Sequence, residues 1–268
     1  MKAHLLAWLA AGLFAASAHA AELVKVGSTP GVTADAVAAL AKEAAEHGLK
    51  VELVEFTDWT LPNEALNNGD IDLNFFQHQA FLDNAIQQRG YALSMVGLGL
   101  LQNIGIYSQR LQSLDAVPSG AQVAVASDPV NQGRGLLLLQ RAGLIKLREG
   151  DAIGASVHDV IENPHKLRFH EIEGPQLVRA LDDVDLAVLW PSHLVRAGRA
   201  EQAGKALLYS GVDDTFYAMG FVARTDQAEA DKVRRFVTLY QSSPAVRQVI
   251  DQAYDGDSRL YTLPWVKP

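Results

Sequence analysis

One segment, around Arg134, carries the residue types of an anion-binding turn. A run of small apolar residues ends at Ser127 and Asp128, either of which can cap a helix, and Pro129 suits the first helical position. The first turn of a helix presents unpaired backbone N–H groups, and a guanidinium there pairs with a carboxylate through two parallel hydrogen bonds. We predict a binding site for a small anion at Arg134, with Asn131 at the edge of this site. The alternative is that Arg134 pairs with a structural acid on the surface.

Aromatic side chains cluster in two neighbouring segments earlier in the chain. Trp59 precedes one predicted helix. Phe76, His78 and Phe81 lie where a predicted strand runs into the next helix. Aromatic rings with a few polar groups at strand ends are typical of a small-ligand pocket with an apolar slot. We therefore predict that these four side chains line a cleft. The alternative is that the rings fill the core, which is our prediction for Phe75 because it continues the strand pattern.

Other chemistries lack the residues or the spacing that they need. The chain has no G-x-S-x-G turn for a serine nucleophile and no glycine-rich phosphate loop, and Asp182 and Asp183 are typical of a solvated turn. The histidines show no H-E-x-x-H or H-x-H spacing, so surface positions explain four of them better than a metal site does: His158, His165, His170 and His193. We predict a protein that is not an enzyme and has no metal and no cofactor.

Composition narrows the class of protein further. The 268 residues include no cysteine, which excludes disulfides, thiolate metal ligands and cysteine nucleophiles. The 23 lysines and arginines face 31 acidic residues, for a formal net charge of −8. Without a basic run to follow a phosphate backbone, nucleic acid is not an expected partner. With 49% apolar and 20% charged residues, the composition is that of a soluble globular protein.

Strand and helix patterns alternate along the chain, which predicts an α/β fold with parallel sheets. Alternating apolar residues at 23–27 and 51–56 flank a stretch of helical periodicity at 34–47. A second series of the same kind starts with the apolar run 122–126. Helical patterns return after residue 228, where they can pack against the first series.

Two segments without periodicity, 107–115 and 210–217, separate the two series and are predicted to be crossovers. The expected architecture is a hinged clamshell of two lobes joined by two strands. Lobe 1 would comprise 21–108 plus 216–268, and lobe 2 would comprise 109–215. The cleft of such a fold lies at the carboxyl ends of the parallel strands.

The first twenty residues have the pattern of a signal peptide. Lys2 precedes an apolar run at 5–14, and small residues at 18 and 20 form a signal peptidase site. The run is shorter than the roughly 20 residues that span a bilayer, so we expect cleavage rather than anchoring. Because the chain has no cysteine to carry a lipid, we predict a free periplasmic or secreted protein that begins at Ala21.

Several sequence blocks resemble the NlpA/MetQ family, the methionine-binding solute receptors of ABC importers. The resemblance is collinear over nearly the whole chain after residue 20. The blocks that carry it are 59–66, 69–72, 76–78, 128–134 with 136–140, and 162–164. The family implies a type II-like clamshell that delivers an amino acid to an inner-membrane ABC permease. It also implies that Arg134 holds the ligand carboxylate, while Trp59, Phe76, His78 and Phe81 surround a thioether side chain.

Two positions depart from the family pattern. The family usually has an asparagine after the strand 186–189 and another in the strand around 216–223, and both help to hold the ligand's amino and carboxyl groups. By the resemblance, Trp190 and Met219 occupy these places. Indole only donates a hydrogen bond, and a thioether barely accepts one. The replacements therefore predict weaker binding of free methionine and favour a carboxylate without the α-ammonium group.

The function predicted from these features is that of a monomeric periplasmic solute-binding protein of an ABC importer. Its ligand is expected to be methionine or a related small carboxylate. The alternatives are a periplasmic enzyme that acts on a small carboxylate and a sensory module that binds the same ligand. Turnover in a product assay would reveal the enzyme, and a neighbouring permease and ATPase in the genome would indicate import.

Overall fold

The computed structural model describes residues 21–150 and 154–266, so the predicted signal peptide lies outside the described residues. In chain order the strands are β1 (Glu22–Ser28), β2 (Leu49–Glu55), β3 (Leu73–His78), β4 (Leu93–Gln102), β5 (Gly105–Tyr107), β6 (Gln122–Ala126), β7 (Lys146–Leu147), β8 (Val160–Glu162), β9 (Arg168–Ile172), β10 (Leu186–Leu189), β11 (Leu208–Tyr209), β12 (Met219–Arg224) and β13 (Tyr261–Thr262).

The helices alternate with these strands, as the sequence predicts. In chain order they are α1 (Val32–Glu46), α2 (Leu61–Asn68), α3 (Gln79–Arg89), α4 (Pro129–Arg141), α5 (Leu177–Ala180), α6 (Pro191–Arg196), α7 (Ala200–Ala203), α8 (Asp231–Ser242) and α9 (Pro244–Ala253). In the part of the chain that the structure describes, none of them has the length and apolar character of a membrane span.

The first sheet has six strands in the order β13-β4-β12-β3-β1-β2. Strand β1 pairs in parallel with β2 and β3, while β12 runs antiparallel to β3 and β4. Phe75 of β3 is fully buried, and its ring centroid lies 4.4 Å from that of Phe221. Gly99 of β4 makes room for this pair, because a Cβ at that position would overlap the Phe75 ring. The prediction that Phe75 belongs to the core is confirmed.

The second sheet has five strands in the order β11-β5-β10-β6-β9. Strand β6 pairs in parallel with β9 and β10, so the carboxyl ends of these three strands lie at one edge. Strand β5 closes the other side by antiparallel pairing with β10 and β11. Strands β6 and β10 are apolar and buried at their centre, which is expected of strands covered on both faces, whereas β9 at the edge of the sheet is largely polar and exposed.

The first crossing between the two sheets lies at Asn103 and Ile104, earlier than the predicted segment 107–115. Strand β5 already pairs within the second sheet, directly after this crossing. With three residues, all buried, β5 is too short to give a periodic signal. The return crossing runs from β11 to β12, where the sequence predicts it. The predicted lobe boundaries, 21–108 plus 216–268 and 109–215, stay a prediction.

Candidate functional site

A cavity of about 70 Å³ lies between the two sheets. A single water needs about 10–15 Å³, so the space admits a small organic molecule. Its walls come from the carboxyl ends of strands in both sheets and from the helices that follow them. All eight predicted site residues line it: Trp59, Phe76, His78, Phe81, Asn131, Arg134, Trp190 and Met219. That these side chains bind a ligand stays a prediction.

The N-terminus of α4 positions the arginine. The Asp128 side chain accepts a hydrogen bond from the backbone N–H of Asn131 at 2.9 Å, which is the predicted cap, and Pro129 begins the helix. Residue 134 therefore falls in the second turn of a rigid, capped helix. Gln132, on the opposite side of the same turn, donates to the Ala126 carbonyl at 3.0 Å and ties the helix back to β6.

Arg134 is a buried cation that forms no ion pair with an acidic side chain of the described residues. The residue is 6% exposed, and its Nη2 donates a long hydrogen bond of 3.5 Å to the Gln102 carbonyl. The Tyr217 ring centroid lies 4.3 Å from its guanidinium carbon, close enough for a cation–π contact. Within residues 21–150 and 154–266, no carboxylate lies within ion-pair distance of Arg134. Burial lowers its pKa to about 10, so it stays charged at neutral pH. The alternative of a surface ion pair is thereby excluded.

His78 links the two sheets through Asn131. The Nδ1 atom accepts the backbone N–H of Phe81 at 3.2 Å and caps α3, so the ring proton lies on Nε2. The Nε2–H then donates to Asn131 Oδ1 at 3.1 Å, and Asn131 Nδ2 donates to the Asp128 carboxylate at 3.0 Å. Burial and the charge of Arg134 lower the pKa of His78 to about 3. The imidazole is therefore neutral, and its two hydrogen bonds connect α3 to α4.

Aromatic rings from both sheets form the apolar side of the cavity. Trp59 follows β2, and its ring lies edge-on to Trp190, which follows β10, with centroids 5.5 Å apart. Phe81 packs edge-on against Trp59 at 6.3 Å and against Phe76 at 5.8 Å. Edge-to-face pairs of this kind are stabilising beyond the area that they bury. The slot can therefore hold an apolar group between the two lobes.

Met219 occupies the start of β12 and faces the polar end of the cavity. Its sulfur accepts a hydrogen bond from Gln102 Nε2 at 3.6 Å. The other end of the same amide, Gln102 Oε1, accepts from the Tyr254 hydroxyl at 3.0 Å. The amide of Gln102 thus has a protein partner at both ends.

His193 is a residue that the sequence analysis placed wrongly. We expected it on the surface, but it lies on α6 in the cavity wall, with its ring centroid 5.1 Å from that of Trp190 and 6.1 Å from that of Trp59. Its Nδ1 is buried and has no hydrogen-bond partner among the described residues. Burial and the nearby charge of Arg196 lower its pKa to about 3. The available signal was its position three residues after Trp190, which places both on one helical face.

Tyr217 was also missed. It ends the return crossing, and its ring contacts both Arg134 and His78, the latter with centroids 5.3 Å apart. No periodic pattern marks this segment, so nothing in the sequence indicates that Tyr217 contacts Arg134 and His78. The other histidines of the metal argument lie apart from the cavity, and His158 and His170 are exposed. Among the described residues, no group of metal-binding side chains is assembled.

The two buried imidazoles predict a loss of stability in mild acid. Both have a pKa of about 3 in the folded protein and about 6.5 in the unfolded chain. Between these values the unfolded chain binds protons that the folded protein does not, so the free energy of unfolding falls as the pH falls below 6.5. At pH 5 the expected loss is roughly 2 kcal/mol per histidine.

Urea unfolding at pH 7.5 and pH 5 measures this loss. In the variant His193→Gln, the free energy of unfolding is expected to fall by roughly 2 kcal/mol less between these two pH values, because one of the two imidazoles has been removed. His170→Gln, on the exposed surface, is the matched control and should keep the full drop. An unchanged pH dependence in His193→Gln would contradict a buried neutral imidazole.

The fold and the site together define a solute-binding protein of the two-lobed, periplasmic type. Two α/β sheets, joined by two crossings, enclose a small cavity with a buried arginine at one end and aromatic rings at the other. The NlpA lipoprotein family matches residues 24–259. The chain belongs to this family.

Individual relatives agree with this assignment. The chain is 42% identical over 249 residues to the D-methionine-binding lipoprotein MetQ of Yersinia pestis, covering 91% of this chain and 88% of the relative. A crystal structure of the methionine-binding protein MetQ superposes with a TM-score of 0.84 at 39% identity, covering 91% of this chain and 99% of that one. A nutrient-binding protein from Burkholderia cenocepacia, solved with bound methionine, superposes with a TM-score of 0.82 at 38% identity. The match covers 87% of this chain and 97% of that one. The family consists of binding proteins, and this protein is not an enzyme.

Proposed function

We propose that the protein is the periplasmic receptor of an ABC importer and that it encloses a small carboxylate, methionine or a related compound. The observation that carries the proposal is the buried guanidinium of Arg134, which faces the cavity without a carboxylate partner. A buried charge is costly unless it is paired, so an anionic ligand is the natural partner. Relatives named as methionine-binding proteins and a structural neighbour titled an ABC transporter periplasmic substrate-binding protein support the same reading.

The proposed cycle is binding, closure, docking and release, with no covalent step. Lobe 1 is proposed to span 21–108 plus 216–268, and lobe 2 to span 109–215. Trp59 and His78 follow strands of the first sheet, whereas Arg134 and Trp190 follow strands of the second. A ligand held between these groups contacts both lobes only when they are close together. It therefore shifts the population towards the closed state, which the permease then recognises.

The proposed location is the periplasm, without a lipid anchor. Lipid attachment at an exported N-terminus needs a cysteine, and the sequence has none. The receptor would then diffuse to its permease in the inner membrane as a monomer. Expression in a Gram-negative host followed by fractionation tests this: we expect the protein in the osmotic-shock fluid, and retention in the membrane fraction would contradict it.

Gly174 offers a steric test of closure. It follows β9 of the second sheet, and a Cβ at this position would overlap the six-membered ring of Trp59 from the first sheet. We expect Gly174→Ala to hold the lobes apart and to lower the ligand affinity about tenfold or more. The free energy of unfolding of the ligand-free protein, measured with urea, should change by less than about 1 kcal/mol.

Gly135→Ala is the matched control for this variant. Its Cβ would make an ordinary contact with Val188 at 3.4 Å, within α4 and next to Arg134. We expect it to keep the wild-type affinity in isothermal titration calorimetry. Equal affinities of Gly174→Ala and the wild type would contradict closure at Trp59.

The function as a whole is tested by identifying the molecule that co-purifies with the protein. Denaturation in organic solvent followed by mass spectrometry should release a small carboxylate in near-equimolar amount. Calorimetry with that compound on the stripped protein should then give a single site. A protein that carries no small molecule and binds neither carboxylates nor amino acids would contradict the proposed receptor function.

A further inference from the structure

The side chains around the cavity have an uneven charge balance. None of the described residues that line it is an aspartate or a glutamate. Its charged or basic members are Arg134, Arg196, His78 and His193. The described lining thus carries more positive than negative charge, and none of its side chains is a carboxylate that could receive a positively charged group of a ligand.

The amide oxygens of the wall already accept hydrogen bonds from the protein. Gln77 Oε1 accepts from Asn63 Nδ2 at 2.9 Å. Asn131 Oδ1 accepts from His78, and Gln102 Oε1 accepts from Tyr254. An ammonium group carries three donors and loses its hydration on entry, so it needs several free acceptors. Each of these amide oxygens would have to share its remaining lone pair with the ammonium group while it keeps its bond to the protein.

Trp190 and Met219 add no free acceptor to the wall of the cavity. Trp190 presents an indole, which has no acceptor atom, and the sulfur of Met219 already receives the Gln102 N–H. Both residues are 7% exposed, so the wall at these positions is buried and apolar.

The protonation of the cavity groups agrees with this picture. Burial lowers the pKa of Arg134, and burial together with nearby guanidinium charges lowers the pKa of His78 and His193. Arg134, His78 and His193 are thus each in an environment that disfavours positive charge. A monoanion would neutralise the charge of Arg134, whereas a zwitterion would add an ammonium charge along with its carboxylate and so leave the net charge of the site unchanged.

We propose that the cavity selects a small carboxylate that lacks an ammonium group, such as the des-amino or the 2-hydroxy counterpart of a thioether amino acid. A hydroxyl group is neutral, so it requires no carboxylate in the wall, and it brings one donor where an ammonium group brings three. This inference rests on the proposed function, because it describes the occupant of the same site.

The test is calorimetry of the stripped full-length protein with four probes at pH 7.5. The probes are 4-(methylsulfanyl)butanoate, 2-hydroxy-4-(methylsulfanyl)butanoate, L-methionine and D-methionine. We expect at least one ammonium-free probe to bind about tenfold or more tightly than both methionine enantiomers. Equal or tighter binding of either enantiomer overturns the inference but leaves the receptor function intact.

If none of the four probes binds, the co-purified molecule decides. A carboxylate without an amine supports the inference, and a molecule with an ammonium group overturns it. If the protein also carries no small molecule, the inference fails together with the receptor function.

Discussion

Replacing Arg134 with methionine is expected to abolish ligand binding without weakening the ligand-free protein. The guanidinium is buried and forms no ion pair among the described residues, so the Gln102 carbonyl and the Tyr217 ring offset only part of its desolvation until a ligand arrives. Truncating one partner of a buried, hydrogen-bonded charge pair typically costs about 2–5 kcal/mol of binding, a loss of affinity of roughly 100-fold or more. Replacing a buried charge with an apolar side chain of similar length is often neutral or stabilising.

Two measurements on one variant check this expectation. Calorimetry with the co-purified ligand should show the loss of affinity, and urea unfolding of the stripped protein should show equal or higher stability. Arg179→Met, on the exposed surface of α5, is the matched control and should leave both quantities unchanged. Wild-type affinity in Arg134→Met would contradict the proposed carboxylate seat, whereas a large loss of stability would indicate a structural role for this arginine.

The double variant Trp190→Asn/Met219→Asn is expected to reverse the ligand preference. Each asparagine restores an amide that can both donate and accept at a wall position now occupied by an apolar group. Satisfying a buried polar group is worth about 1–3 kcal/mol, so two such groups should raise the affinity for methionine by roughly 30-fold or more. The des-amino probe should bind more weakly, because it leaves the new amides unpaired.

The comparison needs a control that alters packing without adding amides. Trp190→Phe/Met219→Leu keeps the wall apolar and should keep the preference for the ammonium-free probe, even where the affinities fall. Calorimetry with L-methionine and 4-(methylsulfanyl)butanoate on both double variants gives the two ratios. An unchanged ratio in the asparagine variant would mean that residues 190 and 219 do not set the preference.

The positions of the site residues followed from local signals in the sequence. Asp128 and Pro129 mark the start of α4, which places Arg134 in its second turn. Trp190 and His78 each end a buried strand, and the carboxyl ends of such strands converge at the edge of a sheet. These signals depend on residues that are close together in the chain, so they can be recognised in a single sequence.

The features that escaped prediction depend on long-range packing. His193 is half-buried beside Trp59 of the other sheet, and nothing in its own helix indicates that contact. Strand β5 is recognisable only by its pairing with β10 and β11. Tyr217 lies on a crossing whose path is determined by both sheets. Such contacts join residues far apart in the chain, and periodicity does not report them.

The most direct test of the account is a crystal structure of the protein with its co-purified ligand, or with the tightest of the four probes. We predict a carboxylate between the two sheets, with its oxygens about 2.7–2.9 Å from the Arg134 guanidinium nitrogens and the rest of the molecule against Trp59 and Trp190. A ligand bound outside this cavity, or a carboxylate held by other groups while Arg134 pairs with an acid of the protein, would contradict it.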